Sequence, residues 1–272
     1  MAASLGLVAG AGALPALMAR EARRAGWRVV AIALVDPGEL AAVADRVVPC
    51  RVGEVGPVFD VLAGEGIRHL VLAGRIRKDG LFLGAALDAT AQALVERSPD
   101  WTDEGLLRTA SAALQALGIE ILDQRRFLGP WLAPAGPAAG PPPTEAARAD
   151  IARGLAVARD LARHGIGQSV VVRAGTVVAV EAMEGTDETI RRGLALAGPG
   201  AVVVKATGPT HDYRFDVPAA GAATLALCAA GRAAALALEA GRVLLLDREV
   251  MTTEAQRLGI SVVGVGEESG IH

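Results

Sequence analysis

Apolar residues along the 272-residue chain fall into short continuous runs, separated by stretches where they recur every three or four positions. In the first half the runs lie at 5–9, 28–35 and 69–73, with shorter ones at 46–50 and 119–122. Between them, a helix to about 24 and helices near 56–63, 84–97 and 103–117 show helical spacing. A run with no polar alternation is a strand buried on both faces. Strands of this kind alternating with helices predict a parallel, doubly wound sheet.

The second half reads differently. A helix over 145–163 opens it, and strands at 169–173 and 176–181 follow, joined by Ala174-Gly175 as a tight hairpin. A helix at 187–196, a strand at 201–206 and a helix running from just after Asp216 to about 229 come next. Runs at 234–239 and 242–246 read as strands around Gly241, although the first also fits a helix; a helix at 249–258 and a strand at 261–265 finish the chain. Between the halves, residues 129–143 carry six prolines among glycines and alanines. Proline lacks an amide donor and fixes φ, so this run reads as a boundary. The predicted organisation is α/β throughout: a Rossmann-like lobe over 1–134, a linker over 135–143, and a distinct mixed α/β catalytic lobe over 144–272.

Composition narrows the function. With 52% hydrophobic and 21% charged residues and a net charge of −3, the chain reads as globular and gives no electrostatic reason for a nucleic-acid partner. Cys50 and Cys228 form no metal-binding spacing and fit a reducing compartment. The apolar run at 5–9 is too short for a signal peptide, and 217–228 is too short to span a bilayer, so a cytoplasmic protein is expected.

Candidate chemistry clusters at strand ends. Gly10 and Gly12 lie between the first strand and its helix, where a phosphate can meet backbone N–H groups and the positive end of the helix. A tight βα turn explains the same residues. Pro15 stands where the third glycine of a dinucleotide fingerprint belongs, which argues against an NAD-dependent oxidoreductase resting on this turn and Asp36. Arg75, Arg77 and Lys78 follow the strand at 69–73, on the ligand edge of such a sheet, or form a solvated basic loop. Asp103 and Glu104 are either metal ligands or acids at a helix start.

Glu181, Glu184, Thr186 and Asp187 gather where a strand turns on Gly185 into a helix; capping explains some of them, and a divalent-cation site shared with substrate phosphates would use the acids. Lys205, His211, Asp212, Arg214 and Asp216 place five ionisable groups within twelve residues, ahead of Val217-Pro218. Cleaving a pyrophosphate needs cations on the bridging phosphates and a placed water, which this segment can supply.

The residues also carry a family pattern. Leu5-Gly6-Leu7-Val8-Ala9-Gly10 with Gly12, Leu14 and Pro15 is followed in order by Ile166-Gly167-Gln168, Val180-Glu181-Ala182 and Glu184-Gly185-Thr186-Asp187. Arg214-Phe215-Asp216-Val217-Pro218, Glu239-Ala240-Gly241 and Leu246-Asp247-Arg248-Glu249 complete the series. Over nearly its whole length the chain resembles the UDP-2,3-diacylglucosamine pyrophosphatases of the lipid A pathway, of the type unrelated to calcineurin-like enzymes.

The resemblance implies hydrolysis of UDP-2,3-diacylglucosamine at the α-phosphate, giving UMP and 2,3-diacylglucosamine 1-phosphate. It also implies Mg²⁺ dependence, a homodimer, and an acylated substrate that brings the protein to the inner membrane. The family's essential aspartate maps to Asp216. Glu184, Asp187 and Asp216 are then the expected metal ligands. Gly10, Gly12, Arg75, Thr186, Lys205, His211 and Arg214 are expected to bind substrate. Two departures stand out: Gly208-Pro209 replaces the usual Lys-Pro, and Ala219-Ala220-Gly221 replaces Thr-Ile-Gly. The first motivates an alternative, a diverged member that binds a nucleotide-sugar or lipid phosphate without turnover.

Overall fold

The computed structural model describes residues 3–75, 87–99 and 103–266. Arg77 and Lys78, and the side chains of Asp103 and Glu104, lie outside this set. The chain divides into two units, one of residues 1–128 with 212–216, the other of residues 129–211 with 217–272.

In the first unit β1 (Ser4–Ala9), β2 (Arg28–Ala33), β3 (Arg46–Pro49), β4 (His69–Ala73) and β5 (Glu120–Ile121) form one parallel sheet in the order β3-β2-β1-β4-β5. That order, which reverses direction beside β1, is the Rossmann arrangement. Helices α1 (Leu14–Arg24), α2 (Val55–Gly64), α3 (Ala89–Arg97) and α4 (Asp103–Ala116) supply the connections. Side chains alternate across the sheet: Val8, Val30, Ile32 and Leu70 pack with Leu62, Ile67 and Leu114, while Leu5, Leu7, Val29, Ala31 and Val71 are buried on the other side. Phe215, from the segment 212–216, packs on the first of these clusters.

The second unit holds β6 (Gly136–Ala139), β7 (Ser169–Arg173), β8 (Thr176–Val180), β9 (Val202–Lys205), β11 (Ala235–Glu239) and β13 (Ser261–Val265) in the order β6-β13-β11-β9-β7-β8. Strands β9, β11 and β13 are parallel, β7 runs against β9, and β8 against β7. The carboxyl ends of β8, β9 and β11 therefore share one edge. Helix α5 (Glu145–Arg163) covers the face of Val170, Val172, Val202 and Val204. The opposite face packs on α6 (Thr186–Ala197), α7 (Ala222–Ala230) and α8 (Arg248–Leu258). Each helix layer has a glycine at its closest approach: a Cβ on Gly154 would meet Val204 Cγ2 at 2.5 Å, and one on Gly193 would meet Val171 Cγ2 at 2.5 Å.

Several expectations change. The proline-rich stretch is not only a linker, because 136–139 pairs antiparallel with β13 as an edge strand, where Pro137 needs no ladder partner on its outer side. The helix expected directly after Asp216 starts later. Val217-Pro218 holds the chain extended into a two-residue strand, β10 (Ala219–Ala220), which pairs with β12 (Leu244–Leu245) outside the main sheet. The Ala174-Gly175 hairpin forms as expected, with φ of 49° and 75°, and buried Asp150 accepts both turn amides at 2.8 and 2.6 Å.

Candidate active site

The carboxyl edge of the second unit carries the densest chemistry. Lys205 ends β9, in register with Ser169 on one side and Leu238 on the other. Its three preceding valines are buried in the sheet, which draws the lysine to 7% exposure. The ammonium donates to Thr186 Oγ1 at 2.9 Å. Thr186 opens α6 behind Gly185, whose φ of 80° lets the chain turn from β8 into the helix. The Thr186 hydroxyl donates in turn to Glu181 Oε1 at 2.8 Å, with Ser169 Oγ at 3.5 Å, and Glu181 Oε2 accepts the Gln168 amide at 3.2 Å. Among the described residues, Lys205 thus reaches a carboxylate through a hydroxyl. The resulting arrangement places a nearly buried cation beside a helix N-terminus, both suited to an anion.

Glu184 differs from its expected role. Its carboxylate accepts from Arg192 at 2.7 Å, from the Ala182 amide at 3.1 Å and from Thr189 Oγ1 at 3.2 Å. Its own backbone N–H, then Arg192, hold its carboxyl below the usual glutamate range. The Glu184 carboxylate thus anchors the loop and the helix start. Among the described residues no group of three or more His, Cys, Asp or Glu side chains is arranged to hold a metal ion.

A second network lies further along the same edge. Glu239, the last residue of β11, is 2% exposed; it accepts from Arg159 Nε at 2.7 Å and from the Thr207 amide at 2.8 Å. Arg242 binds Thr207 Oγ1 at 2.8 Å and the Gly208 carbonyl at 2.6 Å. Together they fix the loop that leaves β9 toward His211, whose amide closes a turn on Gly208 O at 3.2 Å. Gly208 is packed tightly, since a Cβ there would lie 3.1 Å from the Arg163 amide nitrogen. Ser169, Arg159, Thr207 and Arg242 had no signal of their own in the sequence. The hint available was Glu239, an acid closing an otherwise apolar run.

In the first unit the glycine turn is committed to the fold. The Gly10 amide donates to Ala73 O at 2.8 Å, and Ala11 and Arg75 exchange two backbone bonds at 2.8 and 2.9 Å. A Cβ on Gly10 would stand 2.5 Å from Arg75 O. Gly10 and the Arg75 backbone therefore close two loops onto each other, and the Gly10 amide is not open to a phosphate. Gly12, with φ of 103° and nothing within 4 Å of a built Cβ, borders a groove of about 370 Å³ lined also by Pro15, Val35 and Asp36. Asp36 caps its own turn through the Gly38 amide at 3.1 Å. Arg75 is exposed.

The segment 212–216 belongs to this first unit. Tyr213 is buried, Arg214 and Asp216 are exposed, and Phe215 is half-buried. Arg214 grips Asp212 through Nε at 3.0 Å and a terminal nitrogen at 2.6 Å, which raises its already high pKa, and it lies 5.0 Å over the Phe215 ring. The Arg214 guanidinium is thus paired within its own segment. Among the sequence candidates, then, Thr186 and Lys205 meet directly in one unit with Glu181. Asp216 and Arg214 share a turn in the other, and His211 immediately precedes that turn.

These features define a two-unit α/β protein whose second unit joins a nearly buried lysine to a helix start at the carboxyl ends of its strands. Family models agree over nearly the full length: the LpxI N-terminal domain matches residues 4–131 and the LpxI C-terminal domain matches 134–263. A relative from Caulobacter vibrioides named "UDP-2,3-diacylglucosamine pyrophosphatase LpxI" is 34% identical over 277 residues, covering 96% of this chain and 97% of that protein. The chain belongs to the LpxI family.

Proposed function

We propose that the chain hydrolyses the pyrophosphate of UDP-2,3-diacylglucosamine, releasing UMP and 2,3-diacylglucosamine 1-phosphate in lipid A biosynthesis. The substrate follows from family membership and the relative's name. The observation that carries the reaction class is Lys205, a nearly buried cation joined to a helix N-terminus through Thr186. A bridging pyrophosphate oxygen there gains a charge-assisted bond in a site largely shielded from water. Asp216, exposed at the end of its turn, orients the attacking water and takes its proton. Thr186 holds the ammonium in place while its hydroxyl donates a hydrogen bond to Glu181. The non-hydrolysing alternative is not favoured, because the relative named as a pyrophosphatase matches along the whole chain.

Mg²⁺ dependence is part of the proposal. The ion would neutralise phosphate charge, held mainly by phosphate oxygens in the manner usual for magnesium, with Asp187 or Asp216 as the carboxylates remaining once Glu184 is assigned to Arg192. Among the described residues no helix is long and apolar enough to cross a membrane; peripheral contact with the inner membrane would come from the acyl chains of the substrate. The homodimer rests on family likeness alone, and sedimentation of the purified protein tests it. The decisive assay for the reaction is UMP release from UDP-2,3-diacylglucosamine with Mg²⁺. Wild-type turnover no faster than that of Asp216→Asn removes the reading.

A further inference from the structure

The aspartate proposed for catalysis lies in the second half of the sequence but is built onto the first unit. Its anchorage uses one small motif twice. In Asp123-Gln124-Arg125 and again in Asp212-Tyr213-Arg214, the aspartate accepts the arginine's own amide, at 2.8 and 3.1 Å. The same guanidinium then returns to grip both carboxylate oxygens. The two turns dock on each other. The Gln124 amide donates to Tyr213 O at 3.1 Å, and the Arg125 guanidinium lies 3.8 Å from the centre of the Tyr213 ring. Tyr213 is 4% exposed, and Phe215 packs on the sheet core with Val8, Val30 and Leu70. The Phe215 amide closes the turn on Asp212 O at 3.2 Å, leaving Asp216 next in line and exposed.

We propose that Tyr213 and Arg125 are positioning residues that fix the Asp216 carboxylate on the first unit before substrate binds. Arg125 is already neutralised by Asp123, so its contact with Tyr213 offers a rigid plane more than a charge. Two pinned aromatic side chains immediately before Asp216 leave it little backbone freedom. A reacting group held in advance keeps the rate advantage of orientation, and a displacement of about 1 Å costs up to ~100-fold. The inference rests on Asp216 being the catalytic carboxylate.

The test uses the full-length protein with UDP-2,3-diacylglucosamine and Mg²⁺. It compares Arg125→Ala, Tyr213→Leu, Tyr213→Phe and Asp216→Asn, each with a thermal melt. Arg125→Ala and Tyr213→Leu are expected to lose about 10- to 100-fold in kcat with KM changed less than about threefold, and Tyr213→Phe, which keeps the stacked ring, to recover most of the loss. Three outcomes overturn the inference: wild-type kcat in Arg125→Ala, a loss that follows only the folded fraction, or no recovery in Tyr213→Phe. An Asp216→Asn variant with wild-type turnover instead overturns the assignment of Asp216, and this inference with it.

Discussion

Replacing Lys205 by methionine should move activity and stability in opposite directions. The side chain is 7% exposed, and its hydrogen-bond partner among the described residues is a neutral hydroxyl at 2.9 Å. Burying an ammonium costs several kcal/mol, which one charge-assisted hydroxyl bond worth about 1.5–3 kcal/mol does not fully offset. Methionine fills a similar volume without the charge. Thr186 keeps its bond to Glu181 at 2.8 Å, so no donor is stranded by the change. The expected gain is about 1–2 kcal/mol, or about 2–8 °C in Tm for a chain of this size. Activity should fall about 10²- to 10³-fold, the usual loss when a preorganised electrostatic contact to the transition state is removed. Differential scanning calorimetry and steady-state UMP release give the two numbers on one preparation. A variant that loses stability along with activity would show that Lys205 holds the fold, and the phosphate-binding argument would fail.

Four further outcomes follow from the geometry. Gly10→Ala pushes a methyl to 2.5 Å from Arg75 O and disturbs the Ala11–Arg75 pair, so chemical denaturation should show a loss of about 2–4 kcal/mol; Gly12→Ala, with open space, should cost only its backbone strain of about 1–2 kcal/mol. Glu239→Ala leaves Arg159 without its carboxylate and frees the loop after β9, costing about 3 kcal/mol by urea titration. Burial pushes the Cys228 thiol up to about 12, and burial and then Glu54 also raise Cys50, so a thiol reagent at pH 8 should label Cys50 slowly and Cys228 only at the rate of unfolding. Burial opposes ionisation of Asp123, but Arg125 outweighs it and holds the carboxyl below its ordinary value. Its contribution is therefore present above an unfolded pKa of about 3.9 and lost as pH falls through the lower folded value. Asp123→Asn should flatten melting curves against pH in that acidic window, and an unchanged slope would remove Asp123 from the account.

How much of this was legible depended on whether the cause was local. β1, β2 and β4 are continuous apolar runs, and a buried parallel strand has no other way to look. The two-residue strands β10 and β12 exist because Ala219 pairs with Leu244, a partner 25 positions away that no local pattern encodes. Lys205 stood out as a cation ending an apolar strand and Thr186 as a helix start, and the structure joins them. Glu184 looked equally suited to a metal, because sequence does not reveal that Arg192, two turns into the helix, folds back onto it. Gly10 was misleading for a related reason: a glycine in a turn signals close approach, but not whether the approaching group is a ligand or, as here, the carbonyl of Arg75. The run of ionisable groups from Lys205 to Asp216 was visible, whereas the unit that receives Tyr213 and Phe215 was not.

The return of residues 212–216 to the first unit has a consequence for how the protein is made. Ribosomal synthesis delivers the sheet β1–β5 with Phe215, part of its core packing, still unmade. At common elongation rates the wait between residues 128 and 216 is on the order of ten seconds. During that interval the nascent first unit exposes the place that Phe215 will fill, and the Arg125 turn has no aromatic partner. Cutting the gene at the proline-rich stretch would make the same gap permanent. A fragment ending there should fold less stably than the unit it represents, and supplying the 212–216 peptide in trans should restore part of the difference.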